Sequence, residues 1–552
     1  MLTFRDWVKS GAPWIWLNAA AVSASIILVV GLLGLIAVRG MGHFWPTPVY
    51  EITYQEQDGS RQQLAGQIRE STEIQAQRLI DSGIELAPGT ESVTRLLIKT
   101  GNRDLAGDDF RTILETRILK KERPLSIVVV EREEWGVFFG YLIALKRNGE
   151  ILESRDVWAD FQTDIGRTDA IREQIIELEK GEIGRVNYLL ERLRLAERQM
   201  KLDGVEDAAE IEAIRLEKQE LQAEYAILES RLLELYEEFQ NEVVIMQTAD
   251  GTEVELPLQT VIDAWRPNSM NLLQQLGHYF RKIWSFLRDE PREANTEGGI
   301  FPAIYGTILM VMLMTVVVTP FGVVAGVYLR EYAKQGALTR TIRIAVNNLA
   351  GVPSIVYGVF GLGFFIYTVG GGIDRLFFEA ALPAPTFGTG GLFWASLTLA
   401  LLTLPVVIVS TEEGLARVPR TIREGSLALG ATQWETLWRT IIPMASPGIM
   451  TGLILAVARA AGEVAPLMLV GVVKLAPSLP LDGNFPYLHL ERKFMHLGFH
   501  IYDVGFQSPN VEAARPLVYA TALLLILVIL VLNLLAIKVR NNLRERYRGL
   551  ET

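Results

Sequence analysis

Arg459 and Glu463 stand four residues apart inside a stretch that is otherwise almost wholly apolar, and no other residues offer as much chemistry. That spacing puts them on one face of a helix. Charges inside a hydrophobic segment are costly and turn toward a bundle interior, a water-filled path or each other. A guanidinium presents a planar fork of donors that matches the oxygens of an oxyanion. The carboxylate can accept a hydrogen bond from a protonated anion or hold the arginine in place. The alternative is a structural pair that only neutralises itself. Close by, Gly448, Gly452, Ala456 and Ala460 recur at every fourth position, a small-residue stripe that lets another helix come close.

Other reactive residues lead nowhere comparable. His496 and His500 have the spacing of one helix face, but no third ligand follows, so no metal site is expected. The chain has no cysteine, which excludes disulfides and thiolate chemistry. Glu412 and Glu413 end an apolar segment and are expected to mark its boundary, while Gly351, Pro353 and Gly358 are expected to bend or break another. No G-x-x-x-x-G-K-[ST] run occurs, so ATP hydrolysis by this chain is not expected, and no cofactor is expected either. A net charge of −11 argues against nucleic acid as a partner.

Helices that cross a membrane must position these residues. The 552 residues are 49% apolar yet 21% charged, the mixture of a membrane protein that carries a large polar domain. Six segments have the length and composition to cross about 30 Å of hydrocarbon: Trp14–Val38, Ile300–Leu329, Ile344–Tyr367, Gly391–Ser410, Pro447–Val473 and Pro516–Ile537. The first, preceded by Arg5 and Lys9, is too long for the core of a signal peptide and reads as an uncleaved anchor. Arg330, Lys334, Arg340 and Arg343 follow the second segment, Arg417, Arg420, Arg423 and Arg439 the fourth, and Lys538, Arg540, Arg544, Arg546 and Arg548 the sixth. Arg375 stands alone after the third, whereas Lys474, Arg492, Lys493 and Arg515 after the fifth argue weakly the other way. The balance places both termini in the cytoplasm and residues 40–298 outside.

The expected fold is therefore an α-helical membrane protein of six transmembrane helices with an inserted extracytoplasmic α+β domain. Residues 1–39 form the tail and first anchor. Residues 40–164 form a mixed α/β part with a hairpin made of Leu125–Glu131 and Trp135–Lys146. In 165–242, the 3-4 spacing of Ile183, Val186, Leu190, Leu193, Glu197 and Met200 resumes after Leu202–Asp203–Gly204 with Ile211, Ile214, Lys218, Leu221, Tyr225, Leu228, Leu232, Leu235 and Phe239, which predicts an antiparallel coiled-coil hairpin. Residues 243–298 return through strands turning on Asp250–Gly251 and an interfacial helix bearing Leu272, Leu273, Leu276, Tyr279, Phe280, Ile283, Trp284 and Leu287. Residues 299–552 form the transmembrane core.

The most specific segment is Thr411–Pro443, TEEGLARVPRTIREGSLALGATQWETLWRTIIP. It predicts a short helix over about Arg420–Leu429 stopped by Gly430, then a second from about Thr432 carrying Trp434, Leu437 and Trp438. Glu424, Gly425, Ser426, Gly430, Ile442 and Pro443 fall where the EAA coupling loop of ABC importer permeases has its Glu, two small residues, Gly and apolar–Pro ending; Gly-Ser here replaces Ala-Ala. Together with NLAGVPSIVYGVFG at Asn348–Gly361, RAAGEVAPLMLVG at Arg459–Gly471 and GGIFPAIYG at Gly298–Gly306, the loop resembles the A-type permeases of phosphate-specific ABC importers over about residues 298–545. The usual Gly-Glu-Thr-Ala-Pro is here Gly462-Glu463-Val464-Ala465-Pro466. The resemblance implies a non-catalytic subunit in the bacterial inner membrane that carries phosphate. It also implies a C-type permease as heterodimer partner, a dimer of cytoplasmic ABC ATPase subunits docked at the loop, a periplasmic phosphate-binding protein and surrounding membrane lipid. Rival readings are a permease for sulfate or molybdate, and a membrane-anchored coiled-coil sensor or scaffold; the latter gives no reason for the loop or for Arg459.

Overall fold

A computed structural model describes residues 10–547 except 57, 82–90, 148, 205–206, 241 and 509–510. Arg5, Lys9 and Arg548 lie outside the described residues, as do the side chains of Phe239 and Arg546. Six described helices are long and apolar enough to cross a membrane: α1 (Pro13–Gly42), α6 (Phe301–Tyr332), α8 (Ser354–Phe377), α9 (Leu392–Ala416), α11 (Gln433–Gly462) and α12 (Ala514–Glu545). The numbers omitted belong to α2 (Val157–Ile176), α3 (Gly184–Asp203), α4 (Ala208–Gln240), α5 (Leu272–Arg288), α7 (Ala337–Leu349) and α10 (Arg420–Ala428).

At the centre lies α9, packed between α6 and α11, while α12 packs on α11 and α1. Met310, Met314 and Val318 of α6 meet Leu399, Leu402 and Val407 of α9 and Ala456 and Ala460 of α11 in one buried core. Most apolar side chains of α1 are exposed, as expected of a helix largely solvated by lipid.

Two spans are shifted along the chain from the sequence reading. The third span starts at Ser354 rather than Ile344, because Pro353 takes an extended conformation (φ −55, ψ 136) and residues 337–349 form the separate amphipathic helix α7. Proline offers no N–H to a helix and pushes the residue before it out of helical conformation. The fifth span covers Gln433–Gly462 rather than Pro447–Val473. Its helix ends at Gly462, and Glu463 is already extended (φ −80, ψ 134), three residues before Pro466.

Among the described residues, the polar region between α1 and α6 holds two larger antiparallel sheets and a two-stranded one at Pro291–Arg292 and Glu297–Gly298. Strands β1 (Tyr50–Gln55), β2 (Arg61–Gln75), β3 (Ser92–Lys99), β4 (Phe110–Leu114) and β5 (Ile118–Glu122) assemble in the order β4-β3-β2-β1-β5. Strands β6 (Val128–Arg132), β7 (Val137–Arg147), β8 (Glu242–Gln247), β9 (Glu253–Pro257) and β10 (Val261–Trp265) follow the order β9-β8-β7-β6-β10. The β6–β7 hairpin has the expected place and pairs Val130 with Phe138. Its turn sets Trp135 and Gly136 at φ 69. Helix α2 covers the second sheet with Phe161 and Ile165.

Helices α3 and α4 run antiparallel. Glu179 just before α3 bonds Tyr236, Arg185 pairs with Glu224, and Glu197 pairs with Lys218, so rising numbers on one side meet falling numbers on the other. Val186, Leu221 and Leu228 are buried between them together with Leu178. Gly204, left-handed at φ 67, ends α3. The capping box of Asn271 and Gln274 starts α5, whose Leu273, Phe280 and Trp284 are exposed.

Candidate functional site

The segment between α9 and α11 is a tight elbow. Arg420–Ala428 forms α10, Leu429 closes it, and Gly430 takes φ +91, a conformation that L side chains adopt only at a cost. Thr432 and Glu435 then form a capping box that starts α11. Ser426 and Thr436 join the two arms through their hydroxyls at 2.9 Å. Beneath them, Val327, Leu415, Val418, Leu437, Ile441, Ala445 and Ile449 form a buried root. The other side is open: Glu424 and Gly425 are exposed, as are Leu429, Trp434 and Trp438, the two tryptophan rings 5.4 Å apart. Ile442 and Pro443 are half-buried where the elbow enters the bundle. A rigid, apolar surface on a short lever suits contact with another protein.

At the opposite end of α11, Arg459 Nε lies 3.5 Å from Glu463 Oε1. The pair survives although Glu463 has left the helix. Both side chains keep partial exposure, 34% and 21%. The turn that follows packs against α8: a Cβ added to Gly358 would lie 2.7 Å from the Cα of Pro466. Next to Gly358, Tyr357 is buried and donates its hydroxyl to the Leu349 carbonyl at 2.7 Å, across the break made by Pro353. Sequence reasoning missed Tyr357, since nothing in its spacing marks a bond to a helix that ends before the break.

The small-residue stripe faces α9. A Cβ on Gly448 would meet the Cα of Gly414 at 2.7 Å, and one on Gly452 would meet the Cβ of Ser410 at 2.3 Å; Ala456 and Ala460 are wholly buried. His496 and His500 are buried apart from these groups, His496 capping its own turn by accepting from Gly498 N–H. Among the described residues no cluster of His, Cys, Asp and Glu could hold a metal ion.

Residues 318–548, which include the elbow and the Arg459–Glu463 pair, match the family described as "Binding-protein-dependent transport system inner membrane component". The "Phosphate transport system permease protein PstA 1" of Mycobacterium tuberculosis strain H37Rv is 37% identical over 247 residues, 44% of this chain and 70% of that protein. The "Phosphate transport system permease protein PstA" of Yersinia pestis is 34% identical over 251 residues, 46% and 75% of the two chains. This chain belongs to the PstA family of ABC transporter permeases. A more distant PstA relative, the probable phosphate transport permease of Methanocaldococcus jannaschii, is 31% identical over 239 residues, 43% of this chain and 73% of its own length. Among solved structures, the inward-facing MetNI methionine ABC transporter is 16% identical and covers 48% of this chain and 98% of its own; its TM-score of 0.31 carries no weight. The sheets and helices of residues 50–288 lie outside the family match.

Proposed function

We propose that this chain is the permease subunit of an ATP-driven phosphate importer, supplying half of the translocation path. The observation that carries the reading is its identity of 31–37% to permeases named for phosphate transport, over stretches that are 70–75% of their length. The chain itself is non-catalytic. Cytoplasmic ABC ATPase subunits, as a dimer, press on the elbow at Glu424, Gly425, Ser426 and Gly430, and the stiff entry at Ile442 and Pro443 passes the movement into α11. The stripe Gly448, Gly452, Ala456 and Ala460 keeps α11 against α9, so that the two move as one. A C-type permease supplies the other half of the path, and a periplasmic phosphate-binding protein delivers the anion.

Arg459 is the counter-charge in this path. Its fork of donors suits a phosphate oxygen pair, and its hold by Glu463 keeps it from trapping the ion. In this reading a protonated phosphate donates to the Glu463 carboxylate while Arg459 swings to the anion, and the pair re-forms on release. Both termini and the elbow face the cytoplasm of a bacterial inner membrane, and residues 40–298 face the periplasm. Within that part we read 165–242 as a coiled-coil hairpin, flanked by the sheets of 40–164 and the return strands of 243–298, all borne by the core at 299–552.

Uptake of labelled phosphate by the complex reconstituted with its ATPase, partner permease and binding protein tests the reading. ATP-dependent uptake that excess sulfate leaves unchanged is the expected result. Uptake of sulfate or molybdate in preference to phosphate, or no flux of any oxyanion, would overturn it.

A further inference from the structure

Arg343, ahead of the third span, and Arg423, within the elbow, form crossed ties at the inner ends of α6 and α9. Arg343, on α7, donates from Nε to Glu412 of α9 at 3.0 Å and from Nη2 to the Leu329 carbonyl of α6 at 3.0 Å. Arg423, on α10, donates from Nη2 to Glu331 of α6 at 2.9 Å and to the Leu415 carbonyl of α9 at 2.7 Å. Each guanidinium thus takes a carbonyl from the span that precedes it in the chain and a carboxylate from the other span. Carbonyls in a helix's last turn run out of amide partners and sit at the negative end of its dipole, so a cation is well placed there. The planar fork of arginine holds two acceptors at fixed angles, which a lysine cannot do.

The ties join helices that already touch, since a Cβ on Gly326 would lie 2.7 Å from the Cβ of Thr411. The charged side chains are sheltered, between 18% and 32% exposed. Loss of one member of such a pair leaves its partner uncompensated. A tilt of the elbow therefore cannot leave the end of α6 behind: Arg423 sits on the elbow helix itself and carries Glu331 with it.

We propose that Arg423 with Glu331, seconded by Arg343 with Glu412, are positioning residues that convert elbow movement into joint movement of α6 and α9. The proposal rests on the transport reading above and goes beyond it, by naming the side chains through which force leaves the elbow. It makes a specific demand. Without the tie, the ATPase still docks on the exposed face of the elbow and still turns over, while the spans follow poorly.

The test measures ATP hydrolysis and phosphate uptake together in proteoliposomes holding the complete complex. For Arg423→Gln and for Glu331→Gln, phosphate moved per ATP should fall about tenfold while hydrolysis stays within about twofold of the unaltered complex, and the double variant should be no worse than either single one. Arg423→Lys should recover only part of the ratio. An unchanged ratio in Arg423→Gln overturns the proposal, as does a parallel fall of uptake and hydrolysis, the mark of a merely structural or docking role. Should Arg423→Gln fail to assemble, Glu331→Gln decides by the same ratio, because it leaves the bond from Arg423 to the Leu415 carbonyl intact. An unaltered complex that moves no phosphate sinks the transport reading and this proposal with it; an active one with an unchanged variant ratio sinks this proposal alone.

Discussion

At the scale of single residues, the account turns on charges that would be costly without a partner. Arg459 and Glu463 lie 3.5 Å apart at the end of α11. A charged hydrogen bond to the anion is worth about 1.5–3 kcal/mol, so Arg459→Ala should cut phosphate uptake by at least roughly tenfold. Assembly, read by size-exclusion chromatography, should persist; uptake near normal would leave Arg459 a structural residue only. A second charge-controlled residue lies on α5. Burial, with Lys282 adding to it, pushes His278 down to about 4 against an ordinary 6.5, and its ring lies tilted against that of Trp265, centroids 4.7 Å apart. The unfolded chain then takes up a proton that the folded one refuses. The stability His278 contributes is fully present above pH 6.5 and is lost as pH falls toward 4. Glu131 stays ionised through that window: burial opposes its charge, but Lys282 and Arg292 together outweigh burial and hold it at about 2. Melting temperatures of the unaltered chain should therefore drop between pH 6.5 and 4, and His278→Leu should flatten part of that drop. An identical slope in both would contradict the assignment.

At the scale of elements, close packing of α11 on α9 sets the mechanical unit. A Cβ at Gly452 would lie 2.3 Å from that of Ser410. Overpacking of this kind costs about 1–3 kcal/mol, so Gly452→Leu should lower the thermal stability of the bundle, while Gly462→Ala, where an added Cβ meets nothing within 4 Å, should not. Equal effects of the two would deny the stripe its role. Much of this level was legible in the sequence, for local reasons. Thr432 and Glu435 have capping-box spacing, Gly430 can take positive φ, and the apolar segments announce their length. What escaped depends on distance along the chain or on competition at segment ends. A bend or break at Pro353 was expected, but not that residues 337–349 would form the separate helix α7 ahead of it, and Gly462 with Pro466 stopped α11 short of Glu463. Arg343, Glu331, Glu412 and Arg423 carried no pairing signal, since their partners lie 69 and 92 positions away; the arginines read only as markers of sidedness and Glu412 as the end of a span. Between α1 and α6 the 3-4 seams of α3 and α4 were visible, whereas the strand order of the two larger sheets was not, because non-adjacent pairing leaves little local trace.

At the scale of the whole molecule, a PstA-family core carries a polar body between α1 and α6 that the family match does not include. The ends of the α3–α4 pair come together, with Tyr236 bonded to Glu179 at 2.8 Å. Replacing residues 180–236 with a short Gly-Ser linker should therefore leave the complex assembled, as size-exclusion chromatography would show, and loss of assembly would make the hairpin part of the core's own fold. The central claim is that force enters through the elbow, and the chain's lack of cysteine makes one measurement direct. Trp434→Cys, exposed on the elbow, would be loaded with a photo-crosslinker in the reconstituted complex and illuminated. The account predicts a covalent adduct with the ATPase subunit and loss of ATP-driven phosphate uptake in the adduct. No adduct with the ATPase, or full uptake with the elbow covalently fixed to it, would contradict the account.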